Sequence, residues 1–282
     1  MSVNLSRYLV FLIAVGVLLG RAAPVSADEE AIEIVSSSVT SEFPEGIRFK
    51  IEARGQNEIT SIAVRLRIGQ QTSGVYEYLC QAGELLSGPE WICDDLETGQ
   101  VVDGELFWRT FILGRYIPPG TIISYSFEVE DSEGEVLKTE PQDFIFYDAR
   151  FEWQEVSQGP VSVAYHGPVK TRAEIVLDAI VVTLESLAPV LGAGTEAPIR
   201  VTMYNNVKEM LEALPPGSTT IRRELITEGQ AFAEVGMLLV LGGGRLALGT
   251  ASHEVIHILV HRGGDSVIGE VPPWLNEGLA EF

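Results

Sequence analysis

The chain has 282 residues, 46% hydrophobic and 21% charged, which is enough apolar material for one or two folded domains and not the composition of a disordered chain. Its 19 Lys and Arg against 40 Asp and Glu give a formal net charge of -21, which repels polyphosphate and anionic lipid at long range and excludes nucleic acid as an expected partner. Two cysteines are too few for a disulfide-scaffolded miniprotein or a cysteine-rich zinc or iron-sulfur site, so any metal site has to draw on His and carboxylates.

The first 27 residues contain no acid. Arg7 precedes an apolar run from Tyr8 to Gly20, and the small-residue segment Val25-Ser26-Ala27 stands before Asp28. This layout predicts a secretory signal over residues 1–27, cleaved after Ala27. The apolar run of 13 residues, stopped by Arg21, is short of the roughly 20 that a spanning helix needs. Cleavage removes Arg7 and Arg21 and no acid, leaving 17 basic residues against 40 acidic, a balance of -23. The expected product is exported, either secreted or associated with the cell envelope. Export puts Cys80 and Cys93 in an oxidising compartment, where the two are expected to join. Their bridge would close a loop of about 14 residues and contribute roughly 3 kcal/mol.

Residues 28–149 are patterned with a period of two. Ile47, Phe49, Ile51 and Ala53 alternate with polar neighbours, as do Ile62, Val64, Leu66 and Ile68, and then Ile123, Tyr125, Phe127 and Val129. Such runs predict half-buried antiparallel strands. Pro118-Pro119-Gly120, Asp131 to Gly134 and Glu140-Pro141 mark the turns. An all-β, immunoglobulin-like or fibronectin-like sandwich is expected. The segment ISYSFEVEDSEGEVLKT resembles the late hairpin of bacterial extracellular sandwich modules.

The period changes near residue 150, and residues 150–282 read as a second, α+β domain. Phe151 to Tyr165 continues as strands. Ala173, Leu177, Ile180, Leu184 and Leu187 then recur at helical spacing, with a stop at Pro189 or Gly192. Ile199, Val201 and Met203 predict a strand, and Asn206 is placed to cap a helix reaching Leu214, ended by Pro215-Pro216-Gly217. Residues 235–241 predict another strand. Gly242-Gly243-Gly244 follows without the Lys-Ser or Lys-Thr of a phosphate loop, so it reads as a turn.

Three of the four histidines lie within nine residues, in ASHEVIHILVHR. His253-Glu254-Val255-Ile256-His257 is an HExxH motif in an apolar context. On a helix, i and i+4 share a face, so His253 and His257 can converge on one tetrahedral zinc ion. Glu254, about 100° round the helix, would reach a metal-bound water without ligating the metal. Pro272-Pro273 predicts the start of a further helix, WLNEGLAE, which places Glu277 after a gap of 19 residues from His257. Two histidines and one carboxylate leave a fourth zinc position open, as a catalytic site requires. Val260 and Gly263 exclude the metzincin pattern, which needs Gly and His there. His261 lies two turns from His253, too far to share the same metal, and reads as structural, while His166 reads as an exposed strand-end residue.

HEVIH together with PPWLNEGLAEF resembles the gluzincin metallopeptidases, and most closely the bacterial peptidase MA-like family. The resemblance spans about residues 150–282, including the FEWQ strand at Phe151 to Gln154 and the QAFAEVGMLLVL segment. WLNEG is similar to the third-ligand helix of gluzincin aminopeptidases, and the 19-residue gap to that of thermolysin. It implies a zincin-like α+β fold, Zn2+ held by His253, His257 and Glu277, and Glu281 as an acid orienting a zinc histidine. Asp265 and Glu270 are the next candidates should Glu277 not ligate. In gluzincins an oxyanion donor, His or Tyr, follows the third-ligand helix. Nothing follows Phe282, so the sequence is expected to be truncated at its C-terminus, to bind zinc weakly and to self-associate; Tyr204 and His166 are the remaining candidate donors.

The expected function is therefore an exported zinc metallopeptidase acting on a peptide or protein substrate, held extended against the 235–241 strand. The sandwich would bind a cell-surface or envelope partner. The alternative is a non-catalytic surface module with a structural or vestigial zinc site.

Overall fold

A computed structural model describes residues 31–81, 95–112, 115–215, 228–242, 247–264 and 271–281. Residues 1–27, read above as a signal segment, and Cys93, Asp265, Glu270, Gly243 and Gly244, and Pro216-Gly217 fall outside these residues. Among the described residues no helix is long and apolar enough to cross a membrane.

The protein is mostly β, in two principal sheets. The first has eight strands: β1 (Ile32–Glu42), β2 (Gly46–Ile68), β3 (Val75–Tyr78), β4 (Cys80–Gln81), β5 (Gly99–Arg109), and, after a separate small hairpin of β6 (Phe111–Ile112) and β7 (Arg115–Tyr116), β8 (Thr121–Asp131), β9 (Val136–Lys138) and β10 (Gln142–Phe146). The alternating runs at Ile47–Ala53 and Ile62–Ile68, which read as separate strands, are two stretches of one 23-residue strand. The first stretch of β2 pairs with β1 and β5, and the second with β3 and β8, with register shifts between Arg54 and Ser61. Ile47, Phe49 and Ile51 from one stretch and Ile62, Val64 and Leu66 from the other belong to a single buried cluster, so the sheet closes over its own apolar face. Cys80, on β4, is buried and disulfide-bonded.

The second sheet has the order β11-β12-β13-β15-β14: β11 (Trp153–Gln158), β12 (Val161–His166), β13 (Ile199–Tyr204), β14 (Gly229–Phe232) and β15 (Met237–Leu241). β12, β13 and β15 are parallel, while β11 and β14 run antiparallel to their neighbours at the two edges. Helix α1 (Lys170–Leu191) links β12 to β13, Pro189 lies within it, and Gly192 ends it in the left-handed conformation at φ 65°. The Asn206 side chain caps α2 (Val207–Ala213), accepting from the Glu209 amide at 3.0 Å. Helices α3 (Ala247–Gly263) and α4 (Pro273–Ala280) follow.

Every residue of β15 is buried, because both faces of this sheet are covered. Leu238 and Val240 pack with α1 and α3, in a cluster with Val201, Ile180, Val255 and Leu259. Leu239 and Leu241, together with Tyr204 and Met210, instead join the cluster formed by the first sheet. Polar bonds lock this junction: Thr202 Oγ1 donates to the Pro119 carbonyl at 2.7 Å and Arg200 Nε to the Gly120 carbonyl at 3.0 Å. Gly120, at φ 99°, leaves no room for a Cβ between Thr202 and Met237.

Asp148 is the polar centre of the junction. It is fully buried and accepts from the Tyr204 hydroxyl at 2.9 Å and from Arg150 Nε at 2.8 Å. Asp148→Ala is expected to leave both donors without an acceptor and to lower the unfolding free energy by about 2 to 3 kcal/mol in urea titrations, against about 1 kcal/mol for Tyr204→Phe.

Candidate metal centre

Helix α3 carries the HEVIH residues and is packed on two sides. Ala251, Val255, Ile258 and Leu259 face the second sheet and α1, while Ile256 and Val260 pack with Ala280 of α4 and with Leu187, Leu191 and Leu279. At its end, Gly263 passes so close to the Leu191 carbonyl of α1 that a Cβ has no space. A histidine there, as the metzincin pattern needs, does not fit this helix crossing. The flank that remains open holds His253 and His257, both half-buried.

Helix α4 meets this flank. Pro273 starts it, and the Pro272 carbonyl accepts from the Leu275 and Asn276 amides at 2.9 and 3.1 Å. Asn276 and Glu277 then engage the histidines together. His257 Nδ1 lies 2.9 Å from Asn276 Oδ1. An amide oxygen only accepts, so Nδ1 carries the proton and the Nε2 lone pair is left free. That Nε2 lies 3.2 Å from His253 Nε2, with Glu277 Oε2 at 3.6 Å from His253 Nε2 and 3.9 Å from His257 Nε2. The three donor atoms fall within 4.8 Å of one another.

These separations fit a tetrahedral ion. Zinc bonds of about 2.0 to 2.1 Å put ligand atoms about 3.4 Å apart, close to the spacing between these donors. Two imidazole nitrogens and a carboxylate oxygen are also a donor set that zinc accepts. Glu277 is 64% exposed at its side chain, against 13% for His257, so the cluster is open on the α4 side.

Glu254 lies beside these histidines, on the β14 side of the helix. It is buried, 8% exposed, and packs against the edge strand β14. Burial pushes its carboxyl up from the ordinary carboxylate range, opposed by His257 and His253 and by the Ala231 backbone N–H that donates to it. The Leu241 amide donates to the Glu228 carbonyl at 2.7 Å, which fixes the ladder so that Gly229 and Ala231 turn their backbone groups away from β15. Among the described residues, the edge of the sheet beside α3 is therefore β14, Gly229–Phe232. This corrects the sequence reading, which put an extended substrate on residues 235–241: β15 is paired on both sides, with β13 and with β14.

Other residues singled out in the sequence lie apart from this cluster. Glu281 Oε1 is 3.9 Å from His253 Nδ1, beyond hydrogen-bond reach, and the residue is 80% exposed. His261 is exposed in the last turn of α3. Tyr204 gives its hydroxyl to Asp148 in the sheet junction. His166 is buried rather than exposed: its ring stacks on Phe151 at 4.0 Å and its Nε2 lies 3.1 Å from Glu209 Oε2. Sequence reasoning gave no role to Asn276 or Gly229. An Asn immediately before a candidate ligand, and a Gly at the start of a strand pattern, are the signals that mark them.

No family model matches the chain, and no curated protein matches it. Among solved structures, it is similar to a bromine derivative of BhCBM56, with 11% identity over 39% of this chain and 88% of that one and a TM-score of 0.23. It is also similar to Astrotactin-2, described as a conserved vertebrate-specific and perforin-like membrane protein involved in neuronal development, with 14% identity over 88% of this chain and 38% of that one and a TM-score of 0.22. At these scores neither likeness bears on fold or function.

Gly229 sets the distance between α3 and β14: a Cβ there would come within 2.6 Å of Thr250 Cγ2 and 2.7 Å of Glu254 Cγ. Gly229→Ala is expected to cost about 1 to 3 kcal/mol through overpacking. By contrast, nothing lies within 4 Å of a Cβ at Gly278 in α4, so Gly278→Ala should be stabilising by about 0.5 to 1 kcal/mol. Urea unfolding of the two variants checks the opposite signs.

Proposed function

We propose that the chain is an exported zinc-dependent peptidase, with Zn2+ held by His253, His257 and Glu277 and with Glu254 as the general base. The observation that carries this reading is the convergence of three donors within 4.8 Å on an open flank, beside the buried carboxylate of Glu254, the residue next to His253. The resemblance of HEVIH and WLNEG to gluzincins supports a zincin-like α+β assignment for the second sheet and its helices, and the folded-over first sheet supports an immunoglobulin-like module.

When bound, zinc supplies Lewis acidity and makes water acidic enough to lose a proton near neutral pH. Glu254 would take that proton on its carboxylate and return it to the leaving amine. Its raised proton affinity suits an acceptor that must later act as an acid. The edge of β14 offers the Gly229 backbone groups and the Ala231 carbonyl to an extended peptide, which gives affinity with little dependence on side-chain sequence. Asn276 would keep His257 in the tautomer that presents Nε2 to the metal. The signal-like residues 1–27 and the disulfide at Cys80 support an exported location.

Among the described residues three donors converge and Glu277 is largely exposed, which favours catalysis over a metal that only braces the fold, since structural zinc sites are closed by four protein ligands. Glu254→Gln should keep stoichiometric zinc and lose hydrolysis of a peptide library by about 100-fold or more. Glu277→Ala should lose zinc, and Asn276→Ala should weaken zinc affinity by about 10 to 100-fold. Zinc retention by Glu277→Ala, or undiminished hydrolysis by Glu254→Gln, counts against the reading.

A further inference from the structure

Strand β14 is short to be trusted with the placing of a carboxylate. It has four residues and, among the described residues, one sheet neighbour, β15, and strands of that kind open easily unless something else covers them. On one face it is covered by α3, through Gly229 against Thr250 and Glu254. The cover on its other side comes from outside the second sheet.

Phe232, the last residue of β14, packs into the cluster built by the first sheet. Its ring meets Tyr116 of the β6–β7 hairpin at 5.3 Å, and Tyr116 in turn meets Phe111 of the same hairpin at 6.1 Å. The Tyr116 hydroxyl donates to the Ala213 carbonyl at the end of α2, which fixes the ring from its far end. Burial pushes that hydroxyl's pKa far up, so it stays a donor at any physiological pH. A second contact holds the turn that follows: a Cβ on Gly69, in the β2–β3 loop of the first sheet, would lie 2.8 Å from the Val235 carbonyl oxygen. The Phe232 end of this segment is thus pressed by the β6–β7 hairpin and the Val235 end by the β2–β3 loop of the first sheet.

We infer that Tyr116 is a positioning residue for the proposed site: through Phe232 it holds β14 so that the Ala231 N–H meets Glu254 and the strand edge stands ready for substrate. The all-β region is then a part of the cleft's framework and not a detachable binding module. This rests on the reading of Glu254 as the general base, but the placement of the strand is measurable without any turnover.

The test is hydrogen exchange on the zinc-treated full chain, comparing wild type with Tyr116→Ala and Tyr116→Phe. Losing the ring contact should speed exchange of the Ala231 and Phe232 amides by about tenfold, while amides of β12 and β13 keep their protection. Tyr116→Phe keeps the ring and loses the anchor, so its effect should be smaller and confined to the same amides. Zinc stoichiometry should match wild type in both variants, because none of the three donors is on β14, and any hydrolysis should fall in kcat and not only in KM. Unchanged exchange at residues 229–232, or an equal rise in all strands of the second sheet, overturns the inference. If Tyr116→Ala does not fold, Phe232→Leu removes the same ring contact from the other side and is read by the same amides. Absence of zinc binding and hydrolysis in wild type would sink the peptidase reading and leave the exchange result to decide this one.

Discussion

The close approach of α3 to β14 at Gly229 is the constraint on which the rest of the site depends. A Cβ at that position would collide with the Thr250 and Glu254 side chains, so glycine is what lets the helix and the strand lie this close. With glycine there, the carboxylate is buried between helix and strand, where desolvation raises its proton affinity and one backbone amide steadies the charged form. Burial and a single donor act in opposite directions, and burial is the larger cause. The same approach aligns the free edge of β14 with the histidine-bearing helix, so substrate edge and chemistry would share one wall.

The second constraint is electrostatic. With the His257 Nε2 lone pair turned toward His253 Nε2 at 3.2 Å, the pair is comfortable only if His253 Nε2 carries a proton or a cation sits between them. The packing of α4 against Ile256 and Val260 supplies what this arrangement needs: Glu277 adds negative charge beside the pair and Asn276 fixes one tautomer. Because the two residues are consecutive on one short helix, a small slide of α4 would lose both contacts together. Apolar packing at Ala280 and Leu279 is thus what holds the polar geometry, and the proposed metal would add to a framework that the side chains already define.

Local patterns carried much of this into the sequence. Period-two runs marked the inward faces of β2 and β8, Asn206 marked the start of α2, and HEVIH with Glu277 named the three donors that the fold brings together. What escaped depends on pairing between distant segments. The two halves of β2 look like separate strands because the register shift between them interrupts the alternation. β15 reads as an accessible strand until β14, four residues with a glycine and a polar residue, is seen to pair along it. His166 looks like a strand end on the surface, and only the fold brings Phe151 and Glu209 over it. The contact of the β6–β7 hairpin with β14 likewise joins residues more than a hundred positions apart, and no local window contains it.

X-ray absorption at the zinc edge of the zinc-loaded chain tests the central claim most directly, since it reads ligand type and distance without relying on turnover. The account predicts one zinc ion per chain, with two imidazole nitrogens at about 2.0 to 2.1 Å and low-atomic-number oxygen ligands at about 2.0 to 2.2 Å, and the loss of one imidazole in His257→Ala. Substoichiometric zinc, a shell of oxygen alone, or a spectrum that His257→Ala leaves unaltered would contradict it.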